Sequence, residues 1–252
     1  MKELLLNIIQ QRTALFISAM IGFTAAGAGV AAPGGPAPSA TPAGIMDEGT
    51  FVISLGGKQV GTEKFTIRST GDNKVDAQAQ IELHVEQAGK TYDFRTSPKM
   101  VLGADLEPET YFWTQKGAQS SRLEVDFRTS PARARYHTVE GDDDVRDFNL
   151  PKGPIVLDDN VVHHYQLLVY RFDRVASKKQ TFPAFIPQEA LPGILNVEDL
   201  GTEQIEVAGT QLELQHVLVS SELARIDLWV DKDRRLQRVF IPAAQLEAVR
   251  KR

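Results

Sequence analysis

The stretch AQAQIELHVE, residues 77–86, alternates without a break between small or apolar side chains and polar ones. Successive side chains of a β-strand point to opposite faces, so this period of two predicts a strand with one buried and one solvated face. Parallel strands are usually covered on both faces and give continuous apolar runs instead. The stretch therefore favours an antiparallel sheet.

The same alternation recurs on both sides of this strand, at residues 51–55, 65–67, 123–127, 212–214 and 226–230, and a last strand is predicted near residues 236–241. Between the first two of these segments, Gly56-Gly57-Lys58 predicts a hairpin turn, because glycine reaches positive φ without strain. Many strands of this kind joined by short turns predict a mainly β fold, namely a curved antiparallel sheet that forms a half-barrel-like meander.

Two segments depart from this period. After Asp158-Asp159-Asn160, which offers N-cap side chains, apolar residues recur at helical spacing as far as Phe172, and this predicts a helix of about three turns. A second, shorter helix is predicted from Pro242 through Leu246 and Val249, since proline is favoured in a first turn. We expect one or two short helices packed on the sheet.

The uncharged stretch Thr13–Ala32 follows Lys2 and Arg12 and is typical of a secretory signal peptide, with predicted cleavage after Ala28. Two alternatives stay open. The stretch is an uncleaved membrane helix, since it has about the 20 residues that such a helix needs; or it is a cytosolic leader.

Three parts of the chain are predicted from these patterns. Residues 1–28 form a signal peptide or membrane anchor, residues 29–48 a Pro/Ala/Gly-rich linker, and residues 49–252 a single mainly β domain. The expected location is periplasmic or extracellular. The alternative is a domain anchored to the membrane by its uncleaved N-terminal helix, in which case that segment is its membrane contact.

Composition excludes several classes of function. The chain has no cysteine, which excludes disulfides, thiol catalysis, cysteine metal sites and the lipid-attachment cysteine of a bacterial lipoprotein. Its formal net charge of −5 argues against a general nucleic-acid binder, which normally carries a basic stripe or patch.

Aromatic side chains supply the ligand-binding candidates. In Tyr111-Phe112-Trp113, at least one ring has to leave the main apolar face, because successive strand residues point to opposite sides. Phe182 and Phe185 belong to an apolar, proline-containing segment that is either a lid over a cavity or an edge strand with its loop. We expect Tyr111, Trp113, Phe182 and Phe185 either to line a binding groove or to pack in the core.

The histidines do not form a predicted metal site. His163 and His164 are adjacent, so on a helix they point about 100° apart and cannot both face one ion. His84 and His137 lie on predicted strands, and a composite site with them is a weak alternative. His216 falls on the apolar phase of its strand and is predicted to be a hydrogen-bonded core histidine.

No catalytic residue or cofactor is predicted. The run Asp142-Asp143-Asp144 fits a solvated hairpin tip better than a calcium loop. Asp158 and Asp159 are better explained by helix capping than by paired-carboxylate catalysis. The sequence contains no G-x-S-x-G nucleophile elbow, and its Gly-Gly-Lys turn lacks the spacing of a phosphate loop.

Three short motifs carry a family resemblance. They are the Gly-Lys-x-x-Gly element at Gly57, Lys58 and Gly61, then LDD at 157–159 with YQLL at 165–168, and LWVD at 228–231. With them, residues 49–242 resemble secreted bacterial domain-of-unknown-function families whose fold is similar to the LolA/LolB-type half-barrel. The resemblance implies a curved sheet around a helical plug, with an apolar concave face that holds acyl chains in the carriers.

The expected function is that of an exported cell-envelope protein which binds a lipid or another hydrophobic small molecule on the concave face of its sheet. The alternative is a non-catalytic structural or protein-interaction module with an envelope protein as its partner. A carboxylate-dependent hydrolase ranks third. An unfilled apolar cavity would favour the first hypothesis, and a solidly packed core the second.

Overall fold

A computed structural model gives the fold of residues 43–251, except residues 88, 118–119, 138–140, 142 and 223. Within this described part, the chain forms sixteen strands, one α-helix and one short 3-10 helix. The strands are β1 Gly44–Leu55, β2 Lys58–Ser69, β3 Lys74–Gln87, β4 Lys90–Thr96, β5 Lys99–Gly103, β6 Pro108–Gly117, β7 Ser121–Asp126, β8 Ala132–His137, β9 Asp143–Phe148, β10 Ile155–Val156, β11 Lys179–Ile186, β12 Leu191–Val207, β13 Thr210–Ser220, β14 Arg225–Val230, β15 Leu236–Ile241 and β16 Leu246–Arg250. The helix α1 is His163–Arg171, and the 3-10 helix is Pro242–Ala244.

All of the strands belong to one large curved sheet, which confirms the predicted mainly β class. Its order is β10-β11-β12-β13-β14-β15-β16-β1-β2-β3-β4-β6-β7-β8-β9, with β5 paired to β3 and β6. The pairings are antiparallel except for the two-residue parallel contact between β10 and β11. The sheet is therefore antiparallel almost throughout, as the alternation of apolar and polar side chains predicted.

The two ends of the sheet approach each other through side chains. The rings of Phe148 in β9 and Phe185 in β11 lie 4.8 Å apart, measured between centroids. Near them, the Tyr136 hydroxyl donates a hydrogen bond of 3.0 Å to the carbonyl oxygen of Pro187. The sheet consequently curls far enough to enclose an interior.

Strand β3 has the two faces that its sequence predicted. Its inward residues are all at most 6% exposed, namely Val75, Ala77, Ala79, Ile81 and Leu83. The intervening side chains are exposed, namely Gln78, Gln80, Glu82 and His84. The hairpin between β1 and β2 also forms as predicted, with Gly56 and Gly57 both at positive φ, 58° and 80°, as a two-residue turn matching the strand twist requires.

Helix α1 lies in the concave side of the sheet and fills it. Its apolar side chains and those that flank it belong to the main core, namely Val161, Val162, Leu167, Leu168, Val169 and Phe172. The same core contains the inward side chains of β1, β2, β3, β5, β6, β7 and β14. One continuous core therefore joins the helix to the inner face.

The second predicted helix is wrong beyond its first turn. Pro242–Ala244 forms a 3-10 turn, which ends at Gln245 in the left-handed conformation with φ of 48°. Residues 246–250 then form β16, which pairs with both β15 and β1. Hydrogen bonding to two strands outweighs the helical spacing of a five-residue segment, which is too short to be stable as an isolated helix.

The predicted buried face of β13 is also wrong. Leu214 and His216 lie on the outer face of the sheet, while Val217 and Val219 point into the main core. A register shift between Asp199 and Gly201 interrupts the pairing of β12 with β13. The hairpin beyond it forms a second, smaller apolar cluster with Trp229, so Leu214 is buried without facing the interior.

Strand β1 begins at Gly44, so residues 44–48, which we predicted to be linker, belong to the sheet. Asp47 in this segment is 3% exposed and accepts a hydrogen bond of 2.7 Å from Arg250 Nη2. The predicted signal peptide and most of the predicted linker lie outside the described residues. Within the described residues, no helix is long and apolar enough to cross a membrane.

Candidate functional site

Five polar side chains lie together in the otherwise apolar interior. Glu63, Tyr111, Asp158, His163 and His164 are each at most 5% exposed. Sheet strands β2 and β6, the segment after β10 and helix α1 supply them. Burying a polar group is costly unless it is hydrogen-bonded. We call these five residues the interior polar cluster, and each of them needs hydrogen-bond partners inside the protein.

Glu63 caps the start of helix α1 from across the molecule. Its carboxylate accepts hydrogen bonds from the backbone N–H groups of Val162, at 2.6 Å, and His163, at 2.7 Å. The first N–H groups of a helix have no partner within the helix, and the helix dipole favours negative charge there. A β2 side chain thus does what a local N-cap residue usually does.

The ring of His163 is oriented by the same carboxylate. Its Nδ1 lies 2.8 Å from Glu63 Oε1. A carboxylate only accepts hydrogen bonds, so Nδ1 carries the proton in this contact. Nε2 is buried and has no hydrogen-bond partner among the described residues.

His164 has the opposite arrangement. Its Nδ1 accepts a hydrogen bond of 3.2 Å from the backbone N–H of Asp158, which places the proton of the neutral ring on Nε2. That Nε2 is also buried without a partner among the described residues. Burial, and to a lesser extent the neighbouring His163, lower the pKa of His164 well below its ordinary value, so the ring is held neutral.

The Asp158 carboxylate accepts hydrogen bonds from the Tyr111 hydroxyl, at 2.6 Å, and from the Gln188 backbone N–H, at 3.0 Å. Burial raises the pKa of Asp158 to about 6, although these hydrogen bonds act in the opposite direction. Burial and the Asp158 charge raise the pKa of Tyr111 well above its ordinary value, so the phenol keeps its proton. Asp158 therefore titrates within the cluster near pH 6.

The predicted capping role of Asp158 and Asp159 is wrong. Helix α1 begins at His163, and its N-cap Val162 makes no side-chain capping bond. Asp158 instead ties the preceding segment to β6 through Tyr111. A local pattern that resembled a cap is overridden by Glu63, which approaches the helix from a distant strand.

The other end of helix α1 is held by Arg234, in the turn between β14 and β15. Its Nη2 donates to the carbonyl oxygens of Val169, Tyr170 and Phe172, the last two at 3.0 Å. A cation is favourable there, because the last carbonyls of a helix lack partners within it. Glu63 and Arg234 thus complement the two ends of the helix dipole.

Gln166 fixes the middle of the helix to the same turn. Its amide accepts a hydrogen bond of 2.6 Å from the Leu236 N–H and donates one of 2.8 Å to the Arg234 carbonyl oxygen. The side chain is fully buried. Polar contacts to β2 and to the β14–β15 turn therefore determine the position of the helix against the sheet.

We expect Arg234→Met to reduce the free energy of unfolding by about 2–3 kcal/mol, since a charged hydrogen-bond donor to three helix carbonyls is lost. Urea unfolding followed by circular dichroism measures this loss. Arg235→Met is the matched control, because Arg235 is 55% exposed and its ion pair to Asp47 is long, at 3.9 Å. Equal losses in the two variants would contradict the capping role.

Asp158→Asn tests the titration of the cluster. A carboxyl whose pKa rises from 3.8 to about 6 on folding stabilises the folded state progressively as the pH falls through this window, and this contribution is lost above about pH 6. Between pH 7 and pH 5 the single group contributes about 1.4 kcal/mol. Chemical unfolding at both values should show that the wild type gains this much relative to Asp158→Asn. Asp93→Asn, an exposed control that keeps Asp158, should gain as much as the wild type. An equal gain in Asp158→Asn would place its source elsewhere.

The structure places all four aromatic ligand candidates in or beside the core. Tyr111 is bonded to Asp158 and is 1% exposed, and Trp113 is 7% exposed. Phe185 is fully buried against Phe148, and Phe182 is half-buried with the Arg171 guanidinium 5.7 Å from its ring centroid. They do not line a common groove, and Phe112 is the ring of its group that points outward.

Little space remains beside these side chains. A crevice between β5, β10 and helix α1, which His164 helps to line, has a volume of about 10 Å³. A shallow surface cleft between β2 and β3 reaches about 280 Å³ and presents Glu82 and His84. Pockets for small ligands usually measure about 300–1,000 Å³, and about 10–15 Å³ holds one water molecule.

The remaining titratable candidates lie on the outer face. His216 Nε2 pairs with Asp227 Oδ1 at 2.8 Å and the ring stacks on Trp229, so the predicted hydrogen bonding is present. The predicted core position is wrong, because His216 is half-buried on the outer face of the sheet. His137 pairs with Asp143 in the β8–β9 hairpin, and Asp142 lies outside the described residues. Within the described part of the chain, no group of three or more metal-binding side chains could hold an ion.

Sequence reasoning missed Glu63 and Arg234. A signal existed for Glu63, because it falls on the inward phase of β2 together with Gly61, Phe65 and Ile67. A charged residue in that phase needs a buried partner. Nothing in the local sequence around Arg234 distinguishes it from its neighbour Arg235, and both side chains are exposed.

The fold and the interior polar cluster define a class: a barrel-like, curved antiparallel sheet whose concave side is filled by one helix held through charged side chains. The profile of DUF3108, a protein family of unknown function, matches residues 50–244, and the chain belongs to this family.

The first of two similar solved structures supports the fold. A beta-barrel-like protein of domain of unknown function DUF1849 from Brucella abortus is similar with a TM-score of 0.55 and 8% identity, over 81% of this chain and 95% of that one. A DUF1089 family protein from Pseudomonas aeruginosa has a TM-score of 0.41 and 11% identity, over 69% and 86% of the two chains. No curated protein matches the chain significantly.

Proposed function

We propose that this domain is a non-catalytic protein-interaction module of the cell envelope that works through its outer surface. One observation carries the proposal: helix α1 packs into the concave side of the sheet as part of one continuous core, and the crevice beside it measures about 10 Å³. A lipid or acyl chain needs a cavity more than ten times larger. A partner would therefore bind to the outer surface of the sheet.

The geometry of the interior polar cluster supports a structural role over a catalytic one. Glu63, His163 and His164 are fully buried, and a substrate would have to displace the helix to reach them. The Nδ1 atoms of both histidines already bond to Glu63 and to the backbone. A general base has to lie within hydrogen-bond reach of its substrate, so these groups serve the helix instead.

Export is part of the proposal. The support is the uncharged stretch Thr13–Ala32 after a basic start, followed by Pro/Ala/Gly-rich sequence up to the first strand. We place the domain in the periplasm or outside the cell, either free or held by an uncleaved N-terminal segment. Fractionation of the host with an antibody to the domain tests both arrangements.

A hydrophobic ligand on the concave face, as the LolA/LolB resemblance implied, is the second candidate. It requires that helix α1 leave the interior, because the helix occupies the space that an acyl chain would need. The buried polar residues of helix α1 favour such a departure, since a helix that stays permanently in a core usually has apolar buried residues. The interaction role needs no such rearrangement.

Site-specific photo-crosslinking tests the interaction role. A photoreactive residue would be placed, one at a time, at exposed apolar positions of the full chain in its own host: Phe112, Val145, Val175 and Ile194. We expect one position to give a discrete, stoichiometric protein adduct, and the exposed polar position Gln78 to give none.

Native mass spectrometry of the same protein at neutral pH tests the second candidate. We expect ligand-free protein whose melting temperature does not change on addition of phospholipid. Co-purified lipid together with an absence of protein adducts at all four positions would overturn the interaction role in favour of lipid binding.

A further inference from the structure

We propose that helix α1 is an acid-releasable element: protonation of His164 frees the helix from the concave side of the sheet while the strands stay paired. This device goes beyond the proposed interaction role and does not depend on it. Its basis is the way in which the two adjacent histidines are buried.

The first observation is that the helix buries polar groups at a cost. His163 Nε2 and His164 Nε2 are both inaccessible and lack hydrogen-bond partners among the described residues. Their rings are 4.8 Å apart between centroids. An unsatisfied buried polar atom is rare in native proteins and destabilises the state that buries it. Release of the helix hydrates both atoms, which favours the released state.

The second observation is that protonation of His164 breaks a specific contact. Its Nδ1 accepts the Asp158 backbone N–H, so a proton on Nδ1 would set two donors against each other. The charged ring would also lie beside His163, in an interior with few groups to stabilise it. The added proton is therefore accommodated only when the ring reaches water.

The surroundings of His164 are otherwise neutral or already engaged. On helix α1 itself, the titratable groups near His164 are His163 and Arg171. From β2, the Glu63 carboxylate is hydrogen-bonded to the His163 ring. From β6 comes Tyr111, whose ring is 5.5 Å from that of His164, and the preceding segment brings Asp158. Strands β5 and β10 present apolar side chains to it, namely Met100, Leu102, Ile155 and Val156.

The third observation concerns how the helix is attached. Apart from apolar packing, polar contacts anchor the helix at Glu63 at one end, at Gln166 in the middle and at Arg234 at the other end. Arg171 Nη1 in its last turn also donates a hydrogen bond of 2.9 Å to the Gly153 carbonyl oxygen. The antiparallel ladder does not include the helix, so the strands keep their hydrogen bonds when the helix leaves. Local opening of such a unit without global unfolding is a common property of folded proteins.

The size of the response follows from the two titrating groups. With an ordinary pKa of 6.5 in the released state, His164 raises the opening constant about 30-fold between pH 7.5 and pH 5. Asp158 acts in the opposite direction, by about tenfold at pH 5, if it too becomes exposed, because burial raises its pKa to about 6. The expected increase is therefore about 30-fold when Asp158 stays bound to Tyr111, and about threefold when it does not.

Hydrogen exchange with mass spectrometry tests the device in the full chain. After correction for intrinsic rates, we expect protection of the α1 peptide to fall about 30-fold, and at least threefold, from pH 7.5 to pH 5, while β3 and β14 peptides stay protected. His164→Asn, which keeps a neutral side chain with an acceptor, should lose this response. His84→Asn, at an exposed position, should retain it.

Two outcomes would overturn the proposal. One is an α1 peptide whose protection does not change with pH, and the other is a response that His164→Asn retains in full. Loss of strand protection in parallel with the helix would indicate global unfolding and would equally reject local release. If His164→Asn does not fold, His164→Gln provides the same neutral comparison, and the strand peptides of the wild type still separate local from global opening.

Discussion

Glu63→Ala is expected to destabilise the protein by about 4 kcal/mol. The substitution leaves the N–H groups of Val162 and His163 and the Nδ1–H of His163 without an acceptor in a fully buried site. Each unsatisfied buried donor costs about 1–3 kcal/mol, so three such donors account for a loss of this size. The loss is a large fraction of the stability of a typical domain.

Glu63→Gln provides the comparison that isolates the charge. The amide keeps one acceptor oxygen and nearly the same volume, so it retains part of the cap, and we expect a smaller loss of about 2 kcal/mol. Urea unfolding at pH 7 measures both variants, and hydrogen exchange of the α1 peptide locates the effect. A loss below about 1 kcal/mol for Glu63→Ala would show that Glu63 does not hold the helix.

Gly61→Ala is expected to cost more than about 3 kcal/mol or to prevent folding. A Cβ at this position would lie 2.0 Å from the backbone oxygen of Glu82 and 2.7 Å from Leu83 Cδ2. The Glu82 oxygen belongs to β3, which pairs directly with β2, so it cannot move without distorting the ladder. Overpacking against a fixed backbone is one of the few causes of large single-residue losses.

Gly193→Ala is the matched control, because Gly193 also lies in a strand but nothing stands within 4 Å of its Cβ position. Alanine costs less backbone entropy on folding than glycine, so this variant should be neutral or slightly more stable. Thermal unfolding of the two variants side by side gives the contrast. Equal melting temperatures would show that β2 and β3 can separate at Gly61 without cost.

Much of the sheet was predictable because its information is local. In β3, the alternation of residues 77–86 defined which side chains are buried, and the glycine pair at 56 and 57 defined the first hairpin. Each depends only on the side-chain period of a strand or on the φ angle that a turn requires. The same reasoning found the helix around residues 163–171 within two residues of its start.

The candidate site was less predictable, since its contacts join distant parts of the chain. Four aromatic residues stood out by their size, yet the structure uses them mainly for packing. Glu63 and Arg234 attracted no attention, although they hold the two ends of helix α1. A local capping pattern at Asp158 and Asp159 indicated the correct helix for the wrong physical reason.

The sequence by itself determined that this protein is built from one-faced antiparallel strands around a short helix, because the period of apolar side chains is a property of each segment alone. The tertiary structure decided which face of β13 points inward, that residues 246–250 join the sheet, and that the helix is capped by Glu63, 100 residues away from His163. Each of these depends on which strands become neighbours when the sheet curls, and no local pattern carries that information.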